Sequence, residues 1–265
     1  ADLFIIPLDD ERRWYRYHHL FADMLRAHLK HGSPGEAGEL HRRACDWFAR
    51  EGLMADAIGH GLAAKAWDRA ADLLEAAAES VGPDAIAIAA DLALPLAASR
   101  AAEEVAATFG ASPDLLVNNA GMFALARVED TDPAQLEGML ATNLVAPFVL
   151  ARAFLPRMRA AGRGDLVTIG SIADRVTFPE NGAYAASKFG ARAMHQVLRA
   201  ELAGSGVRAI LVSPGPVDTA LWDAIDPDTR PGFTPRAAML GPDAVADAVL
   251  WAVTRPRTVN VDELR

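Results

Sequence analysis

Three short apolar runs set the frame of this chain. Asp114-Leu-Leu-Val117, Leu166-Val-Thr-Ile169 and Val207-Arg-Ala-Ile-Leu-Val212 are each too short for a helix and are bounded by turn formers. Such runs read as buried strands. The stretches between them, Leu136 to Leu155 and residues 183 to 204, are long and helix-like. Strands alternating with helices predict an α/β fold.

The chemistry sits just beyond these strands. Ser171 follows the second run, so its hydroxyl is expected at the C-terminal edge of a strand. Tyr184 and Lys188 are four apart, and on a helix they share one face. A phenol titrates near pH 10 in water, and a neighbouring ammonium favours its phenolate. Lowering that pKa by about three units requires roughly 4 kcal/mol, within reach of a close, partly desolvated cation.

Each signal alone has a plainer reading. A Tyr-x-x-x-Lys pair decorates many solvated helices, Asn118-Asn119-Ala120-Gly121 could be a structural turn, and Pro214-Gly215-Pro216 a plain loop. Together, in this order, they resemble the short-chain dehydrogenase/reductase family over residues 84 to 265: the Asn-Asn-Ala-Gly turn, an Asn-Ser-Tyr-Lys tetrad of Asn143, Ser171, Tyr184 and Lys188, and a Pro-Gly turn after a late strand. The resemblance implies that Tyr184 is the general acid/base, with Lys188 tuning it and holding the nicotinamide ribose. Ser171 would bond the reacting oxygen, and Asn143 would hold a water of the proton relay. Asn118, Ala120 and Gly121 would border the adenosine side of the cofactor. Pro214 and Gly215 would lie against the nicotinamide, with Val217 and Thr219 at its carboxamide. Asp91, after an expected strand Ala85–Ala90, would touch the adenine. The implied cofactor is NAD or NADP, the choice being unreadable, and the substrate a small alcohol or carbonyl compound.

One part of the family pattern is missing. The glycine-rich loop that cradles pyrophosphate at a helix N-terminus has no counterpart upstream of Asn118; Gly32-Ser-Pro-Gly35-Glu-Ala-Gly38 has the wrong spacing and follows a helix-like segment. The second strand, which selects between the two cofactors, is missing as well. The expected fold is therefore a truncated Rossmann-like parallel sheet with flanking helices. Residues 85 to 90 are expected to pair directly with 114 to 117, through a crossover helix near 97 to 109.

The first eighty residues have another character. Leu3 to Leu8 and Trp14 to His18 read as two strands around a turn, and His19–Leu29, Ala37–Glu51, Met54–Ala64 and Ala66–Glu79 as helices. Gly52 is a C-cap for the second of these helices. Pro7 to Ala22 and Leu40-His-Arg-Arg-Ala44 resemble the LuxR-type ATP-dependent transcriptional regulators, over about residues 3 to 78. Two domains are expected, a mainly helical segment 1–80 and the dehydrogenase-like 81–265. The phosphate-binding loop and DNA-reading helix-turn-helix of such regulators have no counterpart here.

Composition narrows the field. Acidic residues outnumber basic ones, giving a net charge of −9, which disfavours nucleic acid as a partner. Arg12, Arg13 and Arg16 are interleaved with Asp9, Asp10 and Glu11, and the adjacent His18 and His19 point in different directions, so neither group makes a basic patch or a metal site. No long apolar run or charged-then-apolar leader stands out, so neither membrane span nor secretion is expected. The single cysteine, Cys45, lies on an apolar helix face and suits a cytoplasmic, reducing setting. Helices near 134–160 and 183–204 correspond to the family's dimer interface, which implies a homo-oligomer. Leu221–Leu240 is expected to form a mobile lid over the substrate, in which Trp222, Phe233 and Met239 make either a partly apolar pocket or simple lid packing. The function expected is NAD(P)-dependent alcohol–carbonyl interconversion, with weak or lost activity. The alternative is a non-catalytic, rearranged chain acting as an interaction module.

Overall fold

The computed structural model describes residues 5–7, 15–17, 34–50, 57–58, 60–61, 64–223 and 225–265. They fall into two units, Ala1–Ala89 and Ala90–Arg265. In the first, β1 (Ile5–Pro7) pairs antiparallel with β2 (Tyr15–Tyr17), Ile6 opposite Arg16. Helices α1 (Pro34–Arg50) and α2 (Trp67–Val81) follow. Cys45, Ala57 and Leu73 make a small core with Phe48 packed on it, whereas Leu40 and Trp47 of α1 are exposed. The expected helix His19–Leu29, most of Met54–Ala64, the proposed cap Gly52 and residues Arg12, Arg13, His18 and His19 lie outside the described residues.

The expected strand Ala85–Ala90 does not form; that stretch has no regular structure. Its alternation of Ile with Ala mimics a strand, but strand preference comes from side chains packing on neighbours, and alanines offer little. Its expected pairing with residues 114 to 117 is accordingly absent.

The second unit is an α/β sheet. Its elements are α3 (Ala97–Phe109), β3 (Leu115–Asn118), α4 (Pro133–Leu140), a π turn (Ala141–Val145), α5 (Ala146–Ala161), β4 (Gly164–Ile169), α6 (Gly182–Glu201), β5 (Val207–Val212), α7 (Pro242–Val253) and β6 (Glu263–Leu264). The four strands run parallel in the order β3-β4-β5-β6. Each parallel step needs a helical crossover, which α4–α5, α6 and α7 provide.

Period-two alternation divides the strand side chains between two cores. Leu166 and Ala209 point to one face, where Ala151, Phe154, Leu155, Met158 and Leu198 from α5 and α6 meet them. Val167 and Ile210 point to the other, against Ala252 of α7. This two-sided covering makes the sheet Rossmann-like. The continuous helix Pro133–Ala161 is long and apolar enough to cross a membrane by length and composition; here Met139, Phe154, Leu155 and Met158 are buried in the protein. β3 is an edge strand, and its Leu115 and Val117 are each 40% exposed.

Candidate active site

The carboxyl ends of β4 and β5 carry the candidate site. Ser171 leaves β4 in extended conformation and caps the short turn Ile172–Asp174, its Oγ accepting from the Ala173 amide at 3.2 Å. The Ile172 amide donates to the Pro214 carbonyl at 2.8 Å, which ties this turn to the loop after β5. α6 starts two residues before Tyr184, so Tyr184 and Lys188 stand one turn apart near its N-terminus. The Ser171 hydroxyl lies near enough to the Tyr184 phenol to ease its ionisation. Lys188, 6% exposed, donates from Nζ to the Ile169 carbonyl at 2.9 Å, and Nζ lies 5.7 Å from the Tyr184 ring centre.

These placements set the acidities. Burial pushes the Tyr184 phenol above its usual value, the Ser171 hydroxyl opposes that, and the Asp174 charge adds to it. Burial pulls Lys188 down to about 8, with Asp174 working against the shift. The expected downward pull of Lys188 on Tyr184 is not the dominant effect, because the ammonium faces a carbonyl and the ring rather than the phenol oxygen.

Asn143 sits in the π turn and is buried. Its Oδ1 accepts from the Met122 amide at 2.7 Å, and its Nδ2 donates to the Met122 carbonyl and to Ser187 Oγ, both at 2.9 Å. Ser187 in turn donates to the Tyr184 carbonyl at 2.7 Å. Asn143 thereby clamps the loop after β3 to α6. Gly121 is drawn into the same cluster: a Cβ there would lie 3.4 Å from Asn143 Oδ1 and 3.9 Å from Lys188 Nζ. Asn118, at the end of β3, is buried with both side-chain amide atoms unpartnered, and Ala120 is exposed beside it.

Past β5, Gly215 has open space where a Cβ would be. The Val217 carbonyl accepts from Trp222 Nε1 at 3.0 Å, and Thr219 leads into the turn Ala220–Trp222. Asp91 is exposed and accepts from the Ala93 amide at 3.0 Å within its own turn, so no side-chain bond joins it to this group.

Sequence reasoning picked out Trp222 and Phe233 but missed Phe123, which joins them to Tyr184 in an aromatic wall. Phe123 packs edge-on against Tyr184 at 4.7 Å and against Trp222 at 5.0 Å, and Trp222 meets Phe233 at 6.3 Å. Phe123 lies two residues beyond Gly121, a position that the turn itself could have flagged. The segment expected as a mobile lid is tied down by Arg236 to Asp218 at 2.7 Å and by Arg230 to Glu180 at 2.9 Å.

A nicotinamide cofactor can be tested against these residues. The open space at Gly215, the closeness of Gly121 to Lys188 and the donor set of Ser171, Tyr184 and Lys188 suit the nicotinamide–ribose end. For pyrophosphate, no glycine-rich loop opens a helix among the described residues of the second unit; α3, α4, α6 and α7 follow Leu96, Asp132, Asn181 and Gly241.

Comparison with known proteins places this geometry. Residues 51–230 match the model of the short chain dehydrogenase family, and residues 1–37 match that of the MalT winged helix domain. The second match falls where the sequence resembles transcriptional regulators, largely outside the described residues. An uncharacterised oxidoreductase of Staphylococcus aureus is 34% identical over 157 residues, 59% of this chain and 64% of that protein. The chain therefore spans just under two thirds of that relative's length. D-threitol dehydrogenase of Mycolicibacterium smegmatis is 37% identical over 191 residues, 69% of this chain and 73% of its own. Among solved structures, a putative NAD(P)-dependent gluconate 5-dehydrogenase from Beutenbergia cavernae with bound NADP superposes with a TM-score of 0.63 at 35% identity, over 74% of this chain and 80% of that one. A metagenomic short-chain oxidoreductase in complex with NADP gives 0.60 at 29%, over 75% and 80%.

Proposed function

The chain belongs to the short chain dehydrogenase family, and we propose on that footing that it interconverts a small alcohol and a carbonyl compound with NADP or NAD. The observation that carries this reading is the Tyr184 phenol, set with Ser171 and Lys188 at the carboxyl end of a parallel sheet and packed against an aromatic wall. NADP bound in the two structural neighbours favours the phosphorylated cofactor.

The cofactor supplies hydride transfer. In the reducing direction Tyr184 donates its proton to the carbonyl oxygen, and Ser171 holds that oxygen with a hydrogen bond. In the oxidising direction Tyr184 takes the alcohol proton back. Lys188 keeps positive charge beside the phenolate formed in reduction and would hold the nicotinamide ribose. Asn143 fixes the Met122 loop against α6 so that Phe123 meets Tyr184. Phe123, Trp222 and Phe233 give the substrate side an apolar surface, suited to the carbon skeleton next to the reacting carbon.

We also propose a homodimer, supported by exposed Val145 and Phe148 on one helix and Phe189 and Val197 on another. A second reading, a non-catalytic interaction module, is favoured by the unpartnered Asn118 amide on an edge strand and by the missing pyrophosphate loop. Titration of the purified chain with NADPH and NADH separates the two. Saturable micromolar binding, lost in Lys188→Ala, is expected for the oxidoreductase. A folded sample that binds neither would leave the module.

A further inference from the structure

The turn behind Ser171 holds a carboxylate that the proposed chemistry does not use. Asp174 is 0% exposed. Its Oδ2 accepts from Ser213 Oγ at 2.5 Å, and its Oδ1 pairs with Arg175 Nε at 2.6 Å. Arg175 continues to Glu263 of β6, which also faces Arg192 of α6 and Arg265. Gly170 makes room for the carboxylate: a Cβ there would lie 2.7 Å from Asp174 Oδ2 and 2.6 Å from Ser213 Oγ. Gly170 stands between Ile169, whose carbonyl holds Lys188, and Ser171, whose hydroxyl meets Tyr184.

We propose that Asp174 is a positioning residue of this site, acting through Lys188 and Tyr184 without touching substrate. The proposal rests on the reading of Tyr184 as the proton-transfer group. A buried anion stabilises a nearby ammonium and opposes a nearby phenolate. Asp174 does both, raising Lys188 against its burial and raising Tyr184 together with its burial. The charged group that reaches the pair is Asp174; behind it stand Arg175 and then Glu263 of β6, which meets Arg192 of α6 and Arg265. The arrangement keeps Lys188 charged and Tyr184 protonated at neutral pH, the form that gives up a proton to a carbonyl. Ser213 and Gly170 matter because they seat the anion behind the turn rather than in front of it, where substrate must come.

The test uses the full chain without cofactor. The sequence has three tyrosines, Tyr15, Tyr17 and Tyr184, and three lysines, Lys30, Lys65 and Lys188. Ring- and side-chain-labelled samples, assigned with Tyr184→Phe and Lys188→Met, therefore give both titrations by carbon-13 NMR. Asp174→Asn is expected to lower both midpoints, that of Lys188 from about 8, while Asp174→Glu stays near the parent. A folded Asp174→Asn protein with both midpoints unmoved overturns the proposal, whatever its activity. Should that variant not fold, Arg175→Gln removes the carboxylate's counterion and is expected to raise both midpoints; no movement there overturns it equally. Shifted midpoints in a protein that binds no nicotinamide and turns over no alcohol would uphold the hold of Asp174 on Lys188 and Tyr184 but sink the oxidoreductase reading on which its positioning role rests.

Discussion

Lys188 holds its ammonium 5.7 Å from the centre of the Tyr184 ring while Nζ donates to the Ile169 carbonyl at 2.9 Å. The cation thus stands beside the phenol ring while its hydrogen bond goes to the backbone, and Ser171 is the neighbour that eases the phenol's ionisation. On the proposed reading the labour is divided accordingly: Ser171 would orient the reacting oxygen, Tyr184 would transfer the proton, and Lys188 would supply charge and a ribose contact.

Removing only the phenol oxygen should isolate the transfer step. Tyr184→Phe is expected to lower kcat by about 10²- to 10⁴-fold, the usual worth of a general acid/base. NADPH affinity, measured by fluorescence titration, should change little, because the ring and Lys188 remain. Parent-like turnover would remove Tyr184 from the mechanism.

Lys188 should leave a mark on stability. Its folded pKa is about 8, below the roughly 10.4 of an unfolded lysine. The unfolded chain then binds more protons than the folded one between these values, so stability rises with pH across that window. Between pH 7 and 9 the gain from this one group is about 1 kcal/mol. Urea unfolding of the parent at the two pH values should contain that increment, and Lys188→Met should lack it.

Asp165 and Arg208, neighbours on β4 and β5, form a buried bidentate pair at 2.7 and 2.8 Å. Arg208 also donates to the carbonyls of Val253, Arg255 and Val259, which ties the end of α7 to the sheet. Breaking a buried pair by removing one partner costs about 3–5 kcal/mol. Arg208→Met leaves Asp165 with Arg257 at 2.9 Å and should lose only part of that in urea unfolding, and an Asp165→Leu, Arg208→Met double variant should recover some of the loss.

Gly206, just before β5, has φ +78°, and a Cβ there would overlap the Gly162 carbonyl oxygen. Left-handed backbone alone costs a non-glycine residue about 1–3 kcal/mol, and here the clash adds to it. Gly206→Ala should therefore depress the thermal midpoint clearly, whereas Gly241→Ala, which meets nothing, should not.

The proposed dimer has a direct check. Phe148→Glu with Val197→Glu places charge on both exposed helix faces and should convert a dimer mass into a monomer mass in light scattering. A monomeric parent would dispose of the idea.

The strands around the site were legible because their side chains sort by face. Leu166 and Val167 are both apolar because each has its own core. Tyr184 and Lys188 were legible because helical spacing is local. Ala85–Ala90 was not, since a strand is made by its neighbour and this stretch has none in the sheet. Asp174 was hidden for a similar reason: its partner Ser213 and the Glu263 beyond Arg175 come from far along the chain. Phe123 is ordinary loop filling in the sequence and becomes a wall only where α6 and the turn at Trp222 close on it.

The π turn at Ala141–Val145 carries a consequence for chain length. A wider turn takes in one more residue than an α-turn, and each residue of an α-helix advances the winding by roughly 100°. Deleting a single residue there would close the wide turn to an α-turn and leave the faces on either side in register, whereas a deletion between Val145 and Phe154 would swing every face beyond the cut by that angle. Phe154 and Met158 would leave the sheet, or Asn143 would turn from Met122. The wide turn is thus the one stretch of this helix where a letter could be lost without moving the faces on either side.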